Sequence, residues 1–380
     1  MLLDYGTLRL IWWALLGVLL IGFAIMDGFD LGVAMLHPFV PKNENQRRVL
    51  LNTIGPVWEG NQVWFILGGG AVFAAWPLLY AASFSGFYLA MMLVLIGLIL
   101  RPVALTFRGK MESLAWRRSW DWVFFISGLV PSLVFGVAFG NLLLGTPFHF
   151  DKSLQLDYEG NLLGLLNPFA LLCGITSVAM LTMQGASFLA SKSEGEVARR
   201  AGLFGDRAAI ALVALLSIAG VWVAFGLDGF VLQGAIDPAG PSNPLWKSVG
   251  REAGGWLNTY RHTPLSLAAP IVAYLGALGT AFALRKDSPK AALLCSSASV
   301  AGVITTAGFS LFPFLFPSSS HPDHSLTVWD ASSSQTTLML MLVAALFFLP
   351  IVLAYTGWVF HVLRGPVTEA AIERGDDYHY

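Results

Sequence analysis

Charge is what this chain lacks. Asp, Glu, Lys and Arg make up 12% of its 380 residues, against 56% hydrophobic residues, and the mean hydropathy is +0.67. Soluble domains carry about 25% charged residues, so this composition excludes the soluble globular class and the disordered one. Cysteine is nearly absent as well. Cys173 and Cys295 both stand inside apolar runs without metal-type spacing, which argues against a disulfide framework and against a thiolate zinc site. Nor is there an excess of basic residues. The formal net charge is −1, and without a basic stripe to neutralise phosphates nucleic acid is excluded as a partner.

Histidine is missing from the middle of every long apolar run. His37, His149, His262, His321, His324, His361 and His379 all fall at run ends or in connections. A haem held between helices needs an axial His, Met or Cys projecting into the bundle. The ten Met residues are a weak alternative, because Met in apolar helices usually serves packing. If the chain serves a haem enzyme, a partner is expected to hold the haems.

What is abundant is apolar sequence of membrane-crossing length. Spans are expected at 8–36, 50–76, 78–107, 119–144, 162–190, 207–226, 264–284, 290–316 and 335–363, which makes the chain a nine-helix, all-α polytopic membrane protein. Trp76-Pro77 divides the second span from the third, since proline removes a donor and disfavours helix in the residue before it. The first run lacks the basic start and short apolar centre of a cleaved signal and is expected to be retained. Of the 22 Lys and Arg residues, all but Arg9, Lys152, Lys247, Arg251 and Arg261 fall after odd-numbered spans. The positive-inside rule then places the amino terminus outside and the carboxy terminus in the cytoplasm.

The remaining features are milder. The connection at about 227–262, rich in Gly, Pro and Asn, reads as an external surface cap. Asp27-Gly28-Phe29 and Asp228-Gly229-Phe230 look alike but would lie on opposite faces, so the echo is taken as chance. Gly68-Gly69-Gly70 points to close helix approach or local unwinding, and no Lys-Ser or Lys-Thr follows to make it a phosphate loop. Trp12, Trp13, Trp76, Trp120, Trp122 and Trp358 near span ends fit an aromatic belt. Asn61, Asn141, Asn167 and Gln184 are expected to bond between helices.

Four charged residues stand out against this apolar background. Asp27 and Asp30, spaced i,i+3, share a helix face near the cytoplasmic end of the first span. Glu59, about ten residues into the second span, is expected roughly 15 Å deep, and Arg101 near the end of the third is placed to offset the Asp pair. Together they read as a polar track from the cytoplasm to mid-membrane. Ionised groups inside a span cost a few kcal/mol each by insertion scales, so they face a bundle interior, a cavity or a proton path. A deep carboxyl would also have its proton affinity raised by desolvation, which suits a proton relay near neutral pH. For Asp27, Asp30 and Arg101 a structural ion network explains the pattern equally well. An ion-coupled secondary transporter, with the same acids as coupling sites, is the rival from another class.

At these residues the chain resembles subunit II of cytochrome bd ubiquinol oxidase. The shared segments include Met26-Asp27-Gly28-Phe29-Asp30-Leu31-Gly32, Trp58-Glu59-Gly60-Asn61-Gln62-Val63-Trp64, Arg101-Pro102-Val103, Gly136-Val137-Ala138-Phe139-Gly140-Asn141 and Trp329-Asp330-Ala331-Ser332-Ser333-Ser334-Gln335, and such matches run almost end to end. The resemblance implies two four-helix bundles plus one peripheral helix, with residues 1–150 and 151–325 as the bundles and 326–380 as the ninth helix and cytoplasmic tail. It also implies a terminal oxidase in the bacterial inner membrane that passes electrons from quinol to dioxygen, electrogenic without pumping. Haem d and two b-type haems would sit in a homologous subunit I, sometimes accompanied by small single-span subunits. Glu59 would relay cytoplasmic protons, with Asp30, Asp27 and Arg101 along the route. Some members of the family lodge a quinone in this subunit, and the resemblance leaves that open here.

Overall fold

Asp4 starts the first helix by accepting a hydrogen bond from the Thr7 N–H at 2.9 Å, which satisfies one of the free donors at a helix start. The resulting helix α1 (Tyr5–Leu36) has 32 residues, about 48 Å at 1.5 Å per residue, more than the roughly 30 Å of a hydrocarbon core. The computed structural model describes residues 3–374, so His379 and the end of the expected tail lie outside the described residues. After α1 come α2 (Glu44–Ile54), α3 (Trp58–Ala75), α4 (Pro77–Gly86), α5 (Tyr88–Phe107) and α6 (Leu114–Leu144). The second half holds α7 (Pro168–Lys192), α8 (Gly195–Phe225), α9 (Asn258–His262), α10 (Ala268–Arg285), α11 (Pro289–Leu311), α12 (Gln335–Val362) and α13 (Glu369–Arg374).

Among the described residues eight helical segments, built on α1, α5, α6, α7, α8, α10, α11 and α12, are long and apolar enough to cross a membrane. The expectation of nine differs in its second member. Residues 50–76 are not one helix: Pro56 has no N–H to continue α2, and Val57 leaves helical geometry (φ −124°, ψ −19°). The helix after this turn, α3, has 18 residues and is too polar at its start to count with the others. The break at Trp76-Pro77 is where expected, with Pro77 opening α4. A further break at Phe87 divides the expected third span, beside Gly86, where a Cβ would meet the Tyr158 ring at 2.8 Å. α8 begins well before residue 207, so Arg199, Arg200 and Arg207 stand on a helix instead of in a connection. α11 stops at Leu311, short of the expected 316, because Pro313 follows and the chain turns into a strand.

Helix α3 lies antiparallel to α1. At one end Asn61 reaches Asp30; at the other, Ala75 O and Tyr5 are joined through Ser333. Phe23, Phe65 and Phe135, with ring centroids 5.2–5.6 Å apart, bind α1, α3 and α6 together. α5 packs on α6; α7, α8, α10 and α11 pack on one another; α12 rests on α1 and α3, burying only Leu338 and Leu342. The two groups meet where α1 crosses α7. There Gly32 and Gly185 face each other so closely that a Cβ on Gly32 would lie 2.2 Å from Leu181 O, and one on Gly185 2.5 Å from Gly32 Cα. Small residues let backbones approach in a membrane, where packing, not water exclusion, drives helix association.

One end of the molecule carries three short hairpins. β1 (Phe148–Phe150) pairs with β2 (Leu156–Tyr158), β3 (Asp228–Gln233) with β4 (Ser248–Ala253), and β5 (Phe314–Phe316) with β6 (Leu326–Thr327), all antiparallel. The 227–262 connection has its own small core, because Trp256, 1% exposed, packs with Phe230 and Phe314 and donates to Leu143 O. Arg9, fully buried, ties this cap to α1 by donating to Pro238 O, Gly240 O, Ser242 Oγ and Ser332 Oγ. Asp27-Gly28-Phe29 is helical while Asp228-Gly229-Phe230 opens a strand, so the two triplets share no structure. Gly68, Gly69 and Gly70 do not unwind α3, and a Cβ added at any of them would meet open space.

Replacing Gly185 by Leu is expected to destabilise the protein by at least about 1–3 kcal/mol, the cost of overpacking a closed seam. Gly17→Ala, with open space at its Cβ, should leave stability within about 0.5 kcal/mol. Thermal unfolding of the purified complex distinguishes the two.

Candidate functional site

Asp27 and Asp30 lie one turn apart on the inward face of α1, and both are fully buried. Arg101 reaches Asp27 from α5 as a two-pronged donor, Nη1 to Oδ1 at 2.5 Å and Nη2 to Oδ2 at 3.2 Å. That geometry is the strongest available pairing of a guanidinium with a carboxylate. From α3, Asn61 donates Nδ2 to Asp30 Oδ2 at 2.9 Å. Two polar atoms of this cluster, Asp30 Oδ1 and Arg101 Nε, are buried without a hydrogen-bond partner. Two carboxylates thus share one guanidinium, and only Asp27 is closed off by it.

The expected fourth member is elsewhere. Glu59 stands in the first turn of α3 and is exposed on this chain, so the expectation of a buried mid-membrane carboxyl is corrected. The cause is the turn at Pro56: the helix starts at Trp58, leaving Glu59 at its N-terminus, where the helix dipole favours a negative side chain. Successive positions of α3 then divide by face. Asn61, Trp64, Gly68, Ala71 and Ala75 are buried, whereas Glu59, Val63, Ile66, Gly70 and Phe73 are exposed. Asp27, Asp30 and Arg101 come together; Glu59 looks away from them.

A second ionic network was not foreseen. Asp121 of α6 is 2.7 Å from His37 Nε2, 2.6 Å from Arg108 Nε and 3.2 Å from Arg47 Nε, while Arg108 grips Glu44 with its other two nitrogens at 2.7 and 3.0 Å. Burial pushes the His37 imidazole below its ordinary proton affinity, against the pull of Asp121. Nothing in the local sequence of Arg108 announces Asp121 as its partner. The interhelical amides behave as expected: Asn167 donates to Asn141, which donates to Leu165 O, and Gln184 bonds Ile25 O, Ser296 and Ser297.

Two small cavities lie among these elements. One of about 170 Å³ lies between the α2–α3 turn, α7 and the end of α12, and another of about 210 Å³ lies between Asn141, Tyr158 and Asn167. Both fall below the roughly 300 Å³ at which cofactor-sized sites begin. Among the described histidines His37 is committed to Asp121, His324 accepts from Phe150 N, His361 lies in the last turn of α12, and His149, His262 and His321 lie in the hairpin end. Apart from His37, which is taken up by Asp121, none sits between helices, where an axial haem ligand would be needed.

The chain matches the family described as cytochrome bd terminal oxidase subunit II over residues 8–363. It is 49% identical over 373 residues to cytochrome bd-I ubiquinol oxidase subunit 2 of Escherichia coli strain K12, covering 98% of both chains. A probable cytochrome oxidase subunit 2 of Haemophilus influenzae is 46% identical over 98% of both. Cytochrome bd ubiquinol oxidase subunit 2 of Bacillus subtilis is 33% identical over 96% of this chain and 98% of its own length. Among solved structures, the bd oxidase from Geobacillus thermodenitrificans superposes with a TM-score of 0.68 at 15% identity, covering 94% of this chain and 98% of that one, which is a likeness of fold.

Asp27→Asn would leave Arg101 buried without its counter-charge, a loss of about 3–5 kcal/mol. The double variant Asp27→Leu with Arg101→Met should recover most of that stability. Melting of the purified complex checks both, and an unaltered melting point for the single variant would contradict the pairing described above.

Proposed function

The chain belongs to the family of cytochrome bd terminal oxidase subunit II, and on that premise we propose that Asp30 and Glu59 carry protons through it to a haem-bearing partner. The complex is a quinol oxidase of a bacterial respiratory membrane, contains haem and includes a subunit I. A family match over residues 8–363 does not favour an ion-coupled transporter. Since no described histidine is free between helices, we assign haem d, the two b-type haems and the oxidation of quinol to subunit I. There the haems supply electron transfer and the reduction of dioxygen. The excess of Lys and Arg after odd-numbered spans supports an external amino terminus and a cytoplasmic carboxy terminus, and we assign proton uptake to the cytoplasmic side. Small single-span subunits and a quinone in this subunit remain family features that no residue here selects.

One observation carries the assignment of Glu59. It heads an exposed stripe, Glu59, Val63, Ile66, Gly70 and Phe73, whose spacing repeats every three or four residues along one face of α3. A carboxylate at the head of an apolar face is costly against lipid and becomes useful against a protein partner with polar groups of its own. We read this stripe as the face toward subunit I, and α3 as a further membrane-crossing helix alongside the eight. In the buried cluster the roles divide. Arg101 neutralises Asp27 and holds α5 to α1, whereas Asp30, with one oxygen on Asn61 and the other unpartnered, is placed to take up and release a proton.

Glu59→Gln is expected to lower quinol-dependent oxygen consumption at least about tenfold, within the range of a lost proton-transfer group, while the haem absorption of the complex is retained. Glu59→Asp keeps a carboxyl and should retain most activity. Oxygen-electrode rates on the purified complex decide it: wild-type turnover in the Gln variant removes Glu59 from the path.

A further inference from the structure

On the hairpin end, opposite the Arg108 network, three side chains converge that the oxidase reading leaves unused. His149 lies in β1, Glu159 directly follows β2, and His321 lies in the turn between β5 and β6; one ligating atom of each falls within 4.8 Å of the other two. His149 Nδ1 is 3.1 Å from Glu159 Oε1, and the rings of His149 and His321 are 4.9 Å apart. Despite the short distance, His149 Nδ1 is buried and makes no well-directed hydrogen bond. His149 Nδ1 therefore lies close to the carboxylate without a directed hydrogen bond to any described residue.

The backbone holds these groups in place from both sides. Thr146 N–H donates to Pro317 O and Ser319 N–H to Thr146 O, both at 2.9 Å. Ser318 Oγ donates to Phe148 O and accepts from the His321 N–H, while Ser320 Oγ also donates to Phe148 O. On the far side of the turn His324 Nδ1 accepts from Phe150 N–H at 3.0 Å, and its ring stacks on that of His321 at 5.3 Å. His149 and His321, 172 positions apart, are therefore fixed within reach of each other before any ligand arrives. Asp157, paired across the hairpin with His149, adds a carboxylate 3.9 Å from its Nε2.

Two imidazoles and one carboxylate are the donor set of three-ligand zinc sites. Ligands 2.0–2.2 Å from a tetrahedral ion stand about 3.3 Å apart. The His149–Glu159 pair already has that spacing, and the exposed side chains of Glu159 and His321 can rotate to close the remainder. We propose that His149, Glu159 and His321 form a binding site for a divalent transition-metal ion of the zinc type. The fourth coordination position is left to water, and the ion clips the β1–β2 hairpin to the segment leading into α12. The bland alternative is a plain His–Glu ion pair.

The test is equilibrium dialysis of the intact purified oxidase complex against micromolar Zn²⁺, with bound metal counted by elemental analysis. Wild type should hold one zinc more per complex than the His149→Ala/His321→Ala double variant, and Glu159→Gln alone should weaken that site at least tenfold. Zinc should also raise the melting temperature of wild type but not of the double variant, whose haem spectrum reports assembly. Should the double variant fail to assemble, the exposed Glu159→Gln replacement settles the matter by the same two readouts. Equal zinc content and equal melting in wild type and variant would overturn the proposal and leave the ion pair.

Discussion

The buried pairing of Arg101 with Asp27 is the interaction on which the first half of the molecule depends. A guanidinium in a greasy bundle is tolerable only beside a carboxylate with matching geometry, and removing either partner exposes the other to the full cost of desolvation. Because Asp27 comes from α1 and Arg101 from α5, satisfying that requirement fixes how these two helices stand. Asn61 extends the constraint to α3 by bonding Asp30 one turn away. The apolar contacts around this cluster, such as the Phe23, Phe65 and Phe135 rings, fill space but would tolerate several rotations; the charges select one.

The same economy of charge appears at both ends of the molecule. At one end Asp121 and Glu44 gather His37, Arg47 and Arg108 into a network linking α1, α2 and α6. At the other, Arg9 spends its donors on carbonyls and hydroxyls of the 227–262 cap and of Ser332, and Lys247 pairs with Asp330 at 2.8 Å with both nearly buried. Each of these groups has a partner from a distant part of the chain. Glu59, exposed at the start of α3, lies outside that pattern and pairs with no charged group among the described residues.

Much of this was legible before any coordinates. Leu8 to Met26 and its counterparts announce membrane helices through length and composition, and the i,i+3 spacing of Asp27 and Asp30 announces a shared face. Pro77 marked its break correctly because proline acts on its immediate neighbours. Pro56 is harder to read, because the residues around it are apolar enough to form one continuous span, yet its turn puts Glu59 at a helix start instead of deep within a span. The Asp121 network and the His149, Glu159 and His321 cluster left no local trace, since their members are spread over separate segments.

The sequence by itself determined the membrane class, the family, the approximate number of the helices and the identity of the rare charged residues. These follow from properties summed within one segment: hydropathy, period and the placement of Lys and Arg. Only the tertiary structure decided which carboxylate is closed by Arg101, which keeps a free oxygen and which looks outward. Those outcomes depend on distances of about 3 Å between residues as far apart as positions 27 and 101, and such distances are set by helix rotation and close backbone approach, as at Gly32 and Gly185. Hydropathy is insensitive to rotation about a helix axis, whereas a hydrogen bond is not.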